Sequence, residues 1–382
     1  MSRRWMHIAP AVIGLLGVVL AAVSCDWREL DYDYINTAKF TLIFKWDQSS
    51  LGDNSSKAVV DMVKPGDPIN GRTAVFFPVD GSAPIIKMSH SDTMTVNLPV
   101  QEYNAVFFNE TYDDFDNIRF SGTGSFETLL ASAKEDAVTS TRSFSSIARE
   151  PDMLAVQAIV PFRVTEEMVF YTRAVEERGT KAASDYMGLA DFNRVEEQMT
   201  IIVHPHDVVY PLIVSVTVEG LNNVVSAGAY ITGFAGGFDF SKIDYDIIGF
   251  PFCIGSADTT SVTHRVNFDN NTLLDGSTRK GTLEGHINTF GPRIPWACSG
   301  YTLEFRALLI DGTIFTATRD VSGNMYDISE NGQRHYMVYA GVGSEGSQNP
   351  PIIIPDVEPV AEGGGWQINV GDWDEIVVPV GM

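Results

Sequence analysis

The chain has 382 residues and a formal net charge of −23 at pH 7. Because an acidic surface repels phosphate groups, nucleic acid is excluded as an expected partner, and so are anionic lipid headgroups. Hydrophobic residues make up 44% of the chain and aromatic residues 11%, which excludes a disordered chain and indicates a globular one. The length leaves room for two domains of ordinary size.

The N-terminus has the pattern of an export signal. Arg3 and Arg4 precede a short apolar run over residues 8–22, and small residues follow it directly before Cys25. This order is typical of export signals, and the run is short for a membrane-spanning helix. Its end resembles a lipobox, which implies removal of residues 1–24 and a lipid on Cys25. An ordinary secreted protein and an uncleaved signal anchor are the alternatives.

Residues 25–38 are expected to be a tether between this lipid and the folded protein. The acidic stretch from Asp26 to Asp31 resembles signals that direct lipoproteins to the cell surface, which implies a lipid-anchored, surface-exposed protein of the outer membrane. If Cys25 carries lipid, Cys253 and Cys298 remain. An even number of cysteines in an oxidising compartment permits one disulfide, and two unpaired buried thiols are the equally open alternative.

Alternating apolar residues predict a first β-sandwich over residues 39–207. Phe40, Leu42 and Phe44 alternate with more polar residues, the pattern of a half-buried strand. Further strands with turns between them are predicted at 73–79, 85–88, 93–98 and 103–109. Pro78 cannot donate to a β ladder, so its strand should end there or lie at a sheet edge.

A short crossover helix is predicted inside this first domain. Ser125 favours a helix N-cap, and apolar residues follow it at helical spacing, namely Phe126, Leu129, Leu130 and Ala133. Residues 176–193 are polar and contain glycine, which predicts a long connection there.

A second β-sandwich is predicted over residues 208–343. It opens with the most regular alternation in the chain, formed by Tyr210, Leu212, Val214, Val216 and Val218. Further strands are predicted at 227–233, 261–268 and 281–289, followed by a hairpin at 302–318 around Asp311-Gly312.

Residues 344–382 form a tail that the pattern assigns to neither sandwich. Prolines at 350, 351 and 355 prevent regular β pairing at their own positions, and three glycines at 363–365 predict a flexible joint. Two short apolar strands follow, at 366–370 and 376–380. Because unpaired apolar strands invite association, they are expected to occupy a groove, either of this chain or of a neighbour.

The sequence contains no recognisable catalytic, cofactor or metal motif, so the protein is predicted not to be an enzyme. Asp113, Asp114 and Asp116 offer oxygens that suit calcium, but they lack the spacing of a known loop, and a solvated turn is favoured. His204 and His206 are two residues apart with no third ligand in sight. A polar linker is therefore favoured over a metal site.

The order of these features resembles a lipoprotein family allied to the fimbrillins, which include the anchor subunits of type V pili. Besides the lipobox, three segments carry the resemblance: Phe76-Phe77-Pro78-Val79-Asp80-Gly81, Leu98-Pro99-Val100-Gln101-Glu102-Tyr103-Asn104-Ala105-Val106-Phe107-Phe108-Asn109 and Gly220-Leu221-Asn222-Asn223-Val224. The resemblance implies a mainly β protein with two tandem transthyretin-like β-sandwich domains. It also implies partner subunits that join by strand exchange.

Two functions follow as hypotheses from this resemblance. The first is a structural or adhesive component of a fimbria-like surface assembly, as its anchor, tip or accessory subunit. No arginine cleavage site is visible in the opening strand, which favours a membrane-bound component over a shed stalk subunit. The second is a monomeric surface lipoprotein that binds a ligand such as a glycan through exposed aromatic residues, for example Trp366 or Trp373.

Overall fold

A computed structural model describes residues 36–45, 71–138, 144–242, 261–269, 271–292, 300–330, 333–343 and 349–359 of the chain. These residues are mainly β, with several sheets packed as sandwiches, so the predicted fold class is confirmed. None of the helices within the described ranges is long and apolar enough to cross a lipid bilayer.

The strands before the first long alternating segment are β1 (Thr37–Phe44), β2 (Arg72–Pro78), β3 (Ile85–Ser89), β4 (Thr93–Pro99), β5 (Glu102–Asn109), β6 (Ile118–Ser121), β7 (Leu130–Ala133), β8 (Glu135–Ala137), β9 (Ser146–Ala148), β10 (Ala155–Arg163), β11 (Thr200–Val203) and β12 (His206–Asp207). The later strands are β13 (Tyr210–Glu219), β14 (Val224–Ala235), β15 (Gly237–Asp239), β16 (Ser261–Asn267), β17 (Lys280–Thr289), β18 (Thr302–Leu309), β19 (Ile314–Asp320), β20 (Met325–Glu330), β21 (Gln333–Ala340) and β22 (Ile352–Ile353). Two α-helices lie between β10 and β11, namely α1 (Glu166–Met187) and α2 (Leu189–Gln198).

The described strands form five sheets. Their orders are β11-β1-β4, β12-β10-β5-β2-β3, β15-β7-β6, β19-β18-β14-β16-β9-β8 and β17-β13-β21-β20, and β22 also pairs with β13. In β1 the predicted alternation is confirmed, because Phe40, Leu42 and Phe44 are buried and Lys39 is exposed. β2 ends at Pro78, as the missing N–H of proline requires.

The chain forms two compact units. The first contains the described residues of Met1–Thr41, Thr95–Gln101 and Arg163–Thr200, and the second contains those of Leu42–Met94, Glu102–Phe162 and Ile201–Met382. Within the second unit, strands from both sides of residue 207 pair with each other, β7 with β15 and β9 with β16. The predicted domain boundaries stay predictions.

The predicted crossover helix after Ser125 is wrong. Phe126–Thr128 is a single 3-10 turn without a side-chain cap, and the following residues form β7. β7 is the middle strand of its sheet, where Ala131 lies between Phe120 of β6 and Phe238 of β15. Pairing on both sides satisfies the backbone of β7 and outweighs a helical spacing of only four apolar residues.

The helices lie instead in the first unit, where a long connection was predicted. α1 begins after Thr165 with two glutamates in its first turn, where the helix dipole favours acidic groups. Gly179 has φ +77° and interrupts the helix, and Gly188 separates α1 from α2. The Tyr171 and Phe192 rings pack 4.9 Å apart and join the two helices. Thr172 accepts a hydrogen bond from the Lys39 amide at 3.0 Å, which ties α1 to β1.

Two apolar clusters form the core of the second unit. One lies between β13, β17 and β21 on one side and β14 and β18 on the other, which is the sandwich predicted for the C-terminal half. The other packs β2, β5 and β10 against β7, β15 and β16. β16 contributes to both clusters, through Val266 to the first and Val262 to the second. His264, which is 1% exposed, lies between these two valines in the sequence of β16.

The described part of the tail packs on the C-terminal sandwich. β22 pairs in parallel with the end of β13, and Ile352 and Ile354 are buried in the C-terminal core. The expectation that the tail lies outside both sandwiches is therefore wrong for residues 349–354. The paired residues are those that fall between Pro351 and Pro355, so the prolines limit the pairing without preventing it.

β21 and β22 lie along the same side of β13, one after the other. The Asn349 side chain accepts a hydrogen bond from the Gly341 amide at 2.7 Å and donates to the Tyr339 carbonyl at 3.2 Å. The Gly343 amide also donates to the Asn349 carbonyl, at 2.7 Å. Asn349 thus ties the residues before β22 to those at the end of β21.

Candidate binding and assembly surfaces

The residues predicted to carry lipid or to form a disulfide lie outside the described residues. These are Cys25, Cys253 and Cys298, and the same holds for Trp366 and Trp373. Lipidation at Cys25 and the Cys253–Cys298 disulfide therefore stay predictions.

The acidic cluster forms a turn. Both the amide and the hydroxyl of Thr111 donate to the Asp114 Oδ2 atom, at 2.9 and 2.7 Å, and these bonds lower the pKa of Asp114. The Asn117 amide donates to Asp152 Oδ2 at 2.7 Å. Within the described ranges, no group of three or more His, Cys, Asp or Glu side chains is arranged to hold a metal ion.

The histidine pair lies where two strands meet. The His204 amide donates to the Gln157 side chain, and His206 pairs with Val156 of β10 in the ladder of β12. Both histidines are exposed, and the proline between them is buried. His206 therefore belongs to a paired strand, and the polar linker predicted at this point is not an unpaired connection.

The segment Gly220-Leu221-Asn222-Asn223-Val224 fixes the tail. Gly220 has φ +89°, and a Cβ atom there would lie 2.5 Å from the Ile354 carbonyl oxygen, so this position requires glycine. Asn223 is 3% exposed and donates through Nδ2 to the Pro355 carbonyl at 3.2 Å and to Asp356 Oδ1 at 3.1 Å. The segment that carried the family resemblance is therefore the docking site of the tail.

Replacing Asn223 by alanine should lower the free energy of unfolding by about 1–3 kcal/mol, because a buried side chain that donates two hydrogen bonds to the tail is removed. Amide hydrogen exchange at residues 352–354 should accelerate more than elsewhere, since these residues lie beside the lost contact. Urea unfolding and exchange mass spectrometry measure the two effects. Asn267→Ala, at an exposed position of β16, is the matched control and should change stability by less than about 0.5 kcal/mol. Unchanged exchange in Asn223→Ala would contradict this role.

The first unit carries an exposed aromatic surface on its helices. The rings of Phe170 and Tyr186 stack with their centroids 5.6 Å apart, and the Arg178 guanidinium lies 4.4 Å from the centre of the Tyr186 ring. Phe170 is 40% exposed, Tyr186 57% and Leu189 66%. We call these four residues the helical aromatic surface. Tyrosine and arginine are enriched among the residues that dominate binding energies, so the surface is suited to a ligand or partner.

Buried residues of the same two helices support the helical aromatic surface. On α1 and α2, Tyr171 and Phe192 are buried while Phe170 points to solvent. Burial, with the nearby Glu196 carboxylate, raises the pKa of Tyr171 to about 12, so this phenol is neutral at physiological pH. Sequence reasoning missed the surface because Gly179 interrupts the helical period. The only available signal was the apolar group of residues 168–171.

Two exposed sheet edges are of a length that can accept another strand. β3 ends the five-stranded sheet that contains β2, and its Ile86 and Met88 side chains are 41% and 45% exposed. β19 ends the six-stranded sheet, and its residues are exposed or half-buried throughout. Such edges present unpaired N–H and C=O groups, which makes them sites for strand addition.

Residues 24–247 match the protein family described as "Domain of unknown function (DUF5119)". The chain belongs to this family. The DUF5119 match extends from the residue before Cys25 across both helices to residue 247, beyond the end of β15, and it includes the segment that docks the tail. No curated protein sequence matches the chain.

Solved structures resemble this DUF5119 chain. A candidate adhesin from Bacteroides ovatus is similar with a TM-score of 0.52 and 14% sequence identity, over 85% of this chain and 94% of that one. The fimbrial anchor protein Mfa2 from Porphyromonas gingivalis is more distant, with a TM-score of 0.37 and 13% identity over 75% and 83% of the two chains. A candidate polysaccharide-binding protein from Bacteroides thetaiotaomicron has a TM-score of 0.38 and 9% identity over 72% and 78%. The first similarity extends the shared fold over nearly the whole of both chains.

Proposed function

We propose that this protein is a non-enzymatic lipoprotein of the outer membrane and a structural or adhesive component of a fimbria-like surface assembly, as its anchor, tip or accessory subunit. The observation that carries the proposal is the fold shared with the Bacteroides ovatus candidate adhesin over 94% of that chain. Membership of the DUF5119 family does not assign a biochemical activity to the chain. The export signal and Cys25 support attachment to the membrane through lipid.

The docked tail supports a role in assembly. Residues 352–356, which precede the two predicted strands of the tail, are held on the C-terminal sandwich by β13 and Asn223. In this proposal, the two predicted strands add to a sheet of a neighbouring subunit. Packing of the same strands along their own chain is the alternative.

The helical aromatic surface favours a second candidate function, a surface lipoprotein that binds a glycan as a monomer. Aromatic faces stack on the C–H faces of sugar rings, and arginine donates hydrogen bonds to sugar hydroxyl groups. The observation specific to this candidate is the exposed Phe170–Tyr186 stack with Arg178 beside it.

Cells that produce the full chain should incorporate a palmitate analogue into it and retain it in the outer membrane together with further surface subunits. Cys25→Ala should lose the label and should leave the membrane fraction. The measurement is labelling and fractionation of both strains, followed by mass spectrometry of proteins that co-isolate after crosslinking. Equal labelling of the two strains would rule out lipidation at Cys25.

A second comparison separates the two candidate functions. An assembly component should co-isolate the same subunits whether or not Phe170 and Tyr186 are both replaced by alanine, and deletion of residues 363–382 should release them. A glycan-binding monomer should instead co-isolate no subunit. Its retention of labelled glycans should fall in the Phe170→Ala/Tyr186→Ala variant and should not change on deletion of the tail.

A further inference from the structure

β19 is a seven-residue strand at the edge of the six-stranded sheet. It pairs with β18 along its whole length, from Thr302 opposite Asp320 to Leu308 opposite Ile314. Among the residues that the structure describes, no strand pairs with its other side. Thr316 and Thr318 are exposed, and Phe315 and Ala317 pack in part against the C-terminal core. One side of β19 is therefore hydrogen-bonded to β18, and its other side is available for pairing with a further strand.

Three of the other described edges carry features that discourage pairing. β3 has five residues with Lys87 at its centre, and β8 has three residues that begin with Glu135 and Asp136. β12 has two residues. β19 has seven residues, contains neither proline nor lysine, and is uncharged from Ile314 to Thr318. Because natural sheets protect their edges with charge, proline or shortness, an unprotected edge of this length indicates an occupant.

The end of β19 contains an arginine side chain that lacks one hydrogen-bond partner within the described part of the chain. The Arg319 Nη1 atom donates to the Thr318 carbonyl at 3.1 Å, and its Nε atom is buried without a hydrogen-bond partner in the described part of the chain. Arg319 and Asp320 together leave the strand without net charge. In a chain whose net charge is −23, such a neutral edge adds little to the repulsion between two copies.

We propose that a second copy of this chain occupies the edge, with the two β19 strands antiparallel about a two-fold axis at Ala317. In this register Thr316 lies opposite Thr318 of the second copy, and Phe315 lies opposite its Arg319. Threonine pairs and a cation beside an aromatic ring both stabilise neighbouring strands. A shift by two residues in either direction places Ala317 opposite Phe315 or Arg319, so the arginine loses its aromatic partner.

Crosslinking in cells that produce the full chain tests the contact. Residues directly opposite in an antiparallel pair have Cβ atoms about 5 Å apart, close to the span of a disulfide. With Cys253 and Cys298 replaced by serine, Ala317→Cys should form a covalent dimer under mild oxidation. Ser277→Cys, at an exposed loop position, is the matched control and should show only collisional crosslinking. Equal crosslinking at the two positions would overturn the proposal.

Charge variants test the register. Adding Thr316→Lys/Thr318→Lys places like charges opposite each other and should reduce the Ala317→Cys dimer by about tenfold. Thr316→Glu/Thr318→Lys places opposite charges together only in the proposed register, and it should retain the dimer. A dimer that survives the first pair, or is lost with the second, contradicts the proposal.

Two further measurements keep the test independent of folding and of the tail. If the serine background lowers the yield, crosslinked peptides containing residue 317 can be identified by mass spectrometry in chains that retain both cysteines, and their absence overturns the contact. Deleting residues 363–382 should leave the dimer unchanged, which separates this contact from strand exchange by the tail. Loss of the dimer on that deletion would mean that the tail makes the contact.

Discussion

Replacing Phe240 by alanine should lower the free energy of unfolding by about 3–5 kcal/mol, the usual range for a buried phenylalanine. Phe240 is fully buried, and its ring lies 6.1 Å from that of Phe108, 6.2 Å from that of Phe120 and 5.1 Å from that of Phe238. Phe108 and Phe120 precede the predicted boundary at residue 207, whereas Phe238 and Phe240 follow it. The variant should therefore weaken both sides of that boundary together.

Urea unfolding measures the stability, and amide hydrogen exchange shows where it is lost. Exchange should accelerate in β5 as well as in β13, because both strands contribute to the cores of the second unit. Phe170→Ala, at a position that is 40% exposed, should cost much less and serves as the matched control. If protection is lost only after residue 207, the two sides unfold separately and the predicted domain division describes independent folding units.

His264 should make the protein less stable as the pH falls from about 7 to about 4. Burial lowers the pKa of His264 from 6.5 to about 4, against a smaller opposing effect of a hydrogen bond to the backbone of Ala148. The unfolded chain therefore binds the proton more readily than the folded chain between these values. Stability is complete above pH 6.5 and declines towards pH 4, by about 3 kcal/mol from this group alone.

The His264→Leu variant isolates this effect, because it fills a similar volume without a titrating group. The difference in unfolding free energy between wild type and variant should shift by about 3 kcal/mol in favour of the variant from pH 7 to pH 4. Urea unfolding at several pH values measures it. Asn267→Ala, at an exposed position of β16 without a titrating group, should not show this shift. Parallel pH profiles for wild type and His264→Leu would show that the imidazole is not kept neutral by burial.

Strand alternation allowed most of the sheet to be predicted from the sequence. β1 follows it in burial, because one face of the strand enters a core. β13 follows it in sequence and sends Leu212, Val214, Val216 and Val218 into the C-terminal cluster, but its other face is also buried from Pro211 to Ser215. β7 was missed because its structure depends on pairing with two other strands, one of them more than a hundred residues away in the chain. Local spacing carries no information on such pairing.

The binding surfaces could be predicted only in part. The segment at Gly220 was recognised as a family feature, but its role depends on Ile354 and Pro355, which it meets only in the folded chain. The helical aromatic surface was hidden because Gly179 breaks the period that identifies a helix. The predicted aromatic contacts at Trp366 and Trp373 lie outside the described residues and stay predictions.

The contacts of Asn349 join the ends of two strands that follow each other along β13. Its side chain accepts from the Gly341 amide and donates to the Tyr339 carbonyl, so the residues after β21 and before β22 are tied to each other. Inserting residues between positions tied in this way costs mainly closure entropy, about 0.6 kcal/mol for each doubling of the length. An insertion between Gly343 and Asn349 should therefore be tolerated and should leave the register of β13 with β21 and β22 unchanged.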